Sequence, residues 1–123
     1  MKKIDIAFDL DSVLVDPMPV FRKVLKERYN GKVLKHDTWH IYTDPELTLA
    51  QFLDCFQEVY ERYKELPILP GARTLLKHLT KACPDDPINF ITARRLETAV
   101  ATHLLINERL APNSLYTLSF ARE

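Results

Sequence analysis

The stretch IDIAFDLDSVLVD, residues 4–16, decides the fold. Ile4–Phe8 is a short apolar run with β-branched residues, ended by acids, and reads as a strand. Asp9 and Asp11 follow at once, two residues apart. Two carboxylates placed together just past a buried strand repel one another, and burial disfavours their ionisation. A hard cation with oxygen ligands resolves that conflict, and Mg²⁺ is commonly held by one or two carboxylates with waters beside them. One carboxylate is then free to act as nucleophile and the other to carry a proton. By itself an Asp-x-Asp triplet is common, and the simpler account is one Asp capping the next turn while the other is solvated.

Working outward, Pro17 precedes Met18, Phe21, Val24 and Leu25 at helical spacing. This predicts a helix from about Pro17 to Tyr29, ended by Asn30-Gly31. The stretch from Lys32 to Tyr42 lacks a clear period and holds Trp39, His36 and His40. Thr43-Asp44-Pro45-Glu46 has the pattern of a capped helix start. Leu49, Phe52, Leu53, Phe56, Val59, Tyr60 and Tyr63 follow in amphipathic order, which predicts a helix to about Glu65 with its Phe stripe and Cys55 in the core. Ala72, Leu75, Leu76 and Leu79 mark another helix after Pro70-Gly71. Ile88–Thr92, INFIT, predicts a second buried strand. Leu96 to Leu110 predicts a helix with Leu96, Ala99, Val100, His103 and Leu104 along one side. Leu115–Phe120 is a third strand.

Strands that alternate with helices predict a parallel sheet in an α/β domain. Chemistry in such sheets collects at the C-terminal ends of the strands. Two of the three strands end in Asp9-Leu10-Asp11 and in Thr92-Ala93-Arg94, so the site is expected there.

The chain has 123 residues, which suits one domain, 1–123, and its 46% hydrophobic content allows a real core. Acids and bases balance at 17 each, which gives no reason to expect a nucleic acid polymer or a membrane surface as partner. Cys55 and Cys83 match no metal-ligand spacing and read as reduced thiols. Asp5 and Asp9 interrupt the first apolar run, so it is not a signal-peptide core, and no stretch is long and apolar enough to span a bilayer. The expected compartment is the cytoplasm.

AFDLDSVLVD, Ala7 to Asp16, resembles the first motif of the haloacid dehalogenase superfamily. LPGARTLLKHL resembles the Pro-Gly-Ala helix before that family's second motif, and INFITARR, Ile88 to Arg95, resembles the second motif itself. The FITAR wording and the insert after the first motif look most like the 5′(3′)-deoxyribonucleotidase branch. The resemblance runs from Ile4 to about Leu110. It implies a Rossmannoid three-layer sandwich around a parallel sheet, with a small helical cap at about 17–66 and with the C-terminal strands missing.

In function it implies a Mg²⁺-dependent phosphatase of small phosphorylated metabolites, nucleotides among them. Asp9 would attack phosphorus and become an aspartyl phosphate. Asp11 would protonate the leaving oxygen. The Asp9 carboxylate and the Asp11 carbonyl would hold Mg²⁺, weakly. Thr92 would hydrogen-bond a phosphoryl oxygen, with Ala93 and Arg94 beside it toward the substrate. Trp39, with His36, His40 and Tyr42, would face the substrate from the cap or pack the cap on the domain. Arg122 is the candidate for the third-motif cation, and the fourth-motif acid has no counterpart. The competing expectation is a relative that binds without catalysis.

Three details depart from the family pattern or qualify it. Ser12 stands where the family usually has Gly, and is expected to have ordinary backbone angles. Asp16 reads as a helix cap before Pro17. Arg94 and Arg95 read alternatively as a surface helix start. With no fourth strand, Ile4–Phe8 becomes a sheet edge, which predicts that the edge is covered, by the same strand of a second copy in a homodimer or by a terminal segment folded back over it.

Overall fold

A computed structural model describes residues 4–29 and 48–121. Three parallel strands, β1 (Ala7–Phe8), β2 (Ile88–Thr92) and β3 (Tyr116–Phe120), lie in the order β1-β2-β3. The register sets Phe8 beside Phe90 and Phe90 beside Leu118. Among the described residues four α-helices connect them: α1 (Met18–Arg28), α2 (Leu49–Glu61), α3 (Ala72–Ala82) and α4 (Ala99–Leu104). The α/β class and the parallel sheet are as the sequence predicts.

Strand β1 is the edge strand of the described sheet, and it is shorter than Ile4–Phe8. With Ala7 opposite Asn89, one step back from Ile6 meets Pro87, which has no N–H to give a ladder. Ile4 leaves the strand and donates its N–H to Asp86 Oδ2 at 3.2 Å, while Ile6 is 54% exposed.

Side chains on one sheet face, from Ile88, Phe90 and Thr92, are buried, while Asn89 is half-buried and Ile91 exposed on the other. Three layers were expected; the described residues form two. Strand order explains this. Each crossover steps the same way, from β1 to β2 to β3, and right-handed crossovers that never reverse put all their helices on one face. The buried face packs into one hydrophobic cluster with Phe21, Val24, Cys55, Val59, Leu76 and Leu105. Both cysteines are free and buried. No helix among the described residues is long and apolar enough to cross a membrane.

Local signals set the helix starts. Asp16 Oδ1 accepts the Met18 N–H at 3.1 Å, which is the capping role its position before Pro17 predicts. Helix α2 begins at Leu49, and the helix start read at Thr43–Glu46 lies outside the described residues. Thr48 and Gln51 form a reciprocal capping box at 3.2 and 3.0 Å. Beyond Glu61 the chain tightens into a 3₁₀ turn, Tyr63–Glu65. Gly71 precedes α3 at φ 84°, a left-handed angle that glycine adopts without strain.

The segment after β2 departs most from expectation. It is 3₁₀ over Leu96–Thr98, α-helical through α4, and π-helical over Leu105–Leu110. Leu96 and Val100 are 53% and 74% exposed, whereas Thr98, Thr102, Leu105, Ile106 and Leu110 turn inward. Leu96 lies in the 3₁₀ turn that leads into α4, and the inward face is phased on Thr98 and Thr102, so the stripe of apolar residues is not the buried one. Thr102 faces inward to meet a buried charge, that of Arg94, while Thr98 Oγ1 donates to the Arg95 carbonyl at 2.7 Å.

Candidate functional site

Strands β1 and β2 run the same way side by side, so Asp9 leaves one strand beside the end of the other. Leu10, Leu14 and Val15 are buried and pin the turn that follows. Leu14 and Val15 both donate N–H to the Leu10 carbonyl, at 2.9 and 3.0 Å, and Ser12 N–H reaches Val15 O at 2.7 Å. Asp9 is exposed, and its Oδ1 accepts the Leu10 N–H at 2.8 Å. Its other oxygen has no partner among the described residues.

Ser12 has φ 66°, so the expectation of ordinary angles there is corrected. The position demands a left-handed residue, which is where a glycine is at ease. Ser12→Gly is therefore expected to stabilise the fold by about 0.5–1 kcal/mol, offset in part by the freer unfolded chain. A urea midpoint that rises with an unchanged slope checks it.

Asp11 turns toward the loop after β2, where Arg94 lies. The guanidinium grips both carboxylate oxygens, Nε to Oδ2 at 2.9 Å and Nη2 to Oδ1 at 2.8 Å. Its third nitrogen, Nη1, donates to Thr102 Oγ1 at 3.2 Å. The Tyr60 ring lies 4.1 Å from the guanidinium carbon and supplies a π face. Arg94's side chain is fully enclosed, while that of Asp11 keeps 22% of its surface. Arg94 is thus a buried linchpin and not a surface helix start. Its backbone N–H donates to Thr92 Oγ1 at 3.1 Å. Thr92 itself is 1% exposed, so its hydroxyl is closed in rather than open at the strand end.

Tyr60 belongs to the site although its spacing reads as core. Burial pushes its phenol well above its ordinary range, and the charges of Asp11 and Asp9 add to this against the opposing charge of Arg94. The phenol therefore stays protonated at neutral pH and is no base. Phe52 and Phe56 are likewise only partly buried. They share a cavity of about 160 Å³ with Tyr60, Ala93, Arg94 and Arg95. Arg95 is exposed, lines that cavity and among the described residues pairs only with Glu97, at 3.7 Å.

The structure thus brings Asp9, Asp11, Thr92, Ala93 and Arg94 to one end of the sheet. Trp39 and Arg122, with His36, His40 and Tyr42, lie outside the described residues. Among the described residues no group of three or more His, Cys, Asp and Glu comes together to hold a metal. The free Asp9 carboxylate fits a loosely held Mg²⁺, which takes much of its shell from water and substrate phosphate. The Asp11 carboxylate is already filled by Arg94. Neither a family model nor a curated protein matches the chain.

Proposed function

We propose that the chain is a Mg²⁺-dependent phosphohydrolase of the haloacid dehalogenase type, nearest the 5′(3′)-deoxyribonucleotidase branch, acting on small phosphorylated metabolites, nucleotides among them. The observation that carries this reading is Asp9: an exposed carboxylate at a parallel strand end, with one oxygen unengaged and the β2 loop beside it. The left-handed Ser12 supports it too, because the motif that the sequence resembles has Gly there.

Phosphoryl transfer needs alignment and charge neutralisation more than elaborate covalent chemistry. Asp9 attacks phosphorus through its unengaged oxygen as the bond to the leaving oxygen breaks. Asp11 delivers a proton to that oxygen, and in the second step takes one from the water that splits the aspartyl phosphate. A Mg²⁺ held by Asp9 and the Asp11 carbonyl would supply charge neutralisation at the phosphoryl group. To carry a proton, Asp11 has to leave the Arg94 fork, since an oxygen that accepts from a guanidinium is not donating. An incoming phosphoryl dianion gives Arg94 another acceptor, and Arg95 a second contact at the cavity mouth.

One observation favours a different reading, a binding protein without turnover. Both Asp11 oxygens are occupied, and Thr92 is enclosed. Phosphate release from p-nitrophenyl phosphate and from nucleoside monophosphates separates the two. Release that needs Mg²⁺ and falls to background in EDTA supports the hydrolase. Saturable nucleotide binding by calorimetry with no release supports the second reading.

A further inference from the structure

Helix α3 carries Arg73, Lys77 and Lys81 and no acid in its 11 residues. The three recur at every fourth residue, so they leave one face of the helix, about 6 Å apart per step along the axis. Like charges at this spacing destabilise a helix. None of the three has an ion pair or hydrogen bond among the described residues. Elsewhere Lys23, Arg28, Arg62, Arg94 and Arg95 each meet a carboxylate, and Arg109 meets two carbonyls. Lys26 and Lys64 also lack a carboxylate partner among the described residues, but only α3 there lines up three such cations on one helix face.

The stripe forms one wall of a groove of about 740 Å³ whose other wall runs from Leu110 to Ser114. Among the described residues no Asp or Glu lines it. Ser114 Oγ lies 3.2 Å from Thr80 Oγ1, which joins the two walls with hydroxyls. Asn113 adds an amide from a left-handed turn at φ 61°. This groove flanks the start of β3, whereas Asp9 and Thr92 stand at the ends of β1 and β2. The Leu110–Ser114 wall and the Lys81 end of α3 lie toward the start of the strands, while Arg73 starts α3 nearer the Leu14 turn.

We propose that this groove is a second anion site that takes the polyphosphate chain of a small molecule, such as a nucleoside triphosphate. Three charges spread over about 12 Å of helix suit a chain of phosphates, since a single phosphate is too short to meet Arg73 and Lys81 together. The volume falls in the range of small-ligand sites. An extended polyanion fits less well, because the stripe ends where Asp85 and Asp86 begin. A nucleic acid strand or an anionic bilayer continuing past Lys81 would meet those acids.

The test is calorimetric titration of the full chain with sodium tripolyphosphate and with a nucleoside triphosphate, at low ionic strength in EDTA. Saturable one-to-one binding is expected, weaker for orthophosphate and weakened by added salt. Lys77→Gln/Lys81→Gln is expected to lower affinity about tenfold or more, as lost charge-assisted contacts do. Gln is a good helix former, so circular dichroism should show the fold kept. Lys23→Gln, which removes a surface charge on α1 away from the groove, is expected to bind as the unaltered chain does. No saturable binding, or equal binding by the double variant, overturns the proposal. Binding confined to a single-stranded oligonucleotide or to anionic vesicles overturns the ligand class.

Discussion

Asp9→Asn is expected to abolish phosphate release, by more than about 10⁴-fold, while leaving the fold as stable as before. The asymmetry follows from where Asp9 sits. Its carboxylate is exposed and makes one local hydrogen bond, to the Leu10 N–H. Asn keeps a carbonyl oxygen for that bond, so stability should move by no more than about 0.5 kcal/mol. Its amide, however, does not form the acyl phosphate that the proposed mechanism requires. Denaturation and phosphate assays on the same preparation read both halves. Turnover that survives in the variant would remove Asp9 from the nucleophile role, and with it the phosphohydrolase reading.

The opposite pattern is expected two residues on. Asp11→Ala strips the partner from a guanidinium with no exposed surface. Breaking a buried pair from one side costs about 3–5 kcal/mol, because the remaining charge is left without compensation. Domains of this kind are stable by only about 5–15 kcal/mol, so the variant approaches unfolding at ordinary temperature. Arg94→Met should cost less, since Asp11 retains exposure and water can take over from the guanidinium. Combining Asp11→Ala with Arg94→Met should recover part of the loss, and a double-mutant cycle in urea measures how much. If Asp11→Ala unfolds no more easily than Asp9→Asn, the Arg94 fork is not holding this end of the sheet together. Loss of activity in Asp11 variants is informative about chemistry only beside that stability measurement.

What was legible in the sequence follows from the range of the forces involved. INFIT was readable to the residue as β2, because an apolar run with β-branched residues between turn signals is a local pattern. Helices α1 and α3 were readable because Pro17 and Gly71 punctuate a 3.6-residue period. Strand-end logic found Asp9, Asp11, Thr92 and Arg94, since a parallel sheet gathers such positions at one end. The length of β1 was not legible, as it depends on Pro87, 80 residues away just before β2. Nor was the buried state of Arg94. Its partners are Asp11, 83 residues earlier, Tyr60 on α2, and Thr102, and no local pattern announces a contact of that span. For the same reason Tyr60 read as core, and Leu96 and Val100 read as inward when Thr98 and Thr102 are the residues turned in.

The order of the strands also governs when the site can come into being. Strand β1 is made first, yet its ladder partner and the fork that holds Asp11 come 82 to 83 residues later, as the Ile4–Asp86 and Asp11–Arg94 contacts show. Closing so long a loop is entropically costly and has to precede the contacts that reward it. On the ribosome, α1, α2 and α3 have their sequences in hand well before β2 exists, so helix packing through Phe21, Cys55 and Val59 can start without the sheet. The N-terminal segment, with its apolar Ile4, Ile6 and Phe8, waits unpaired until Arg94 has been synthesised. Assembly of the candidate site is thus a late event in the life of the nascent chain, and the segment that carries Asp9 is the one most exposed to mispairing until then.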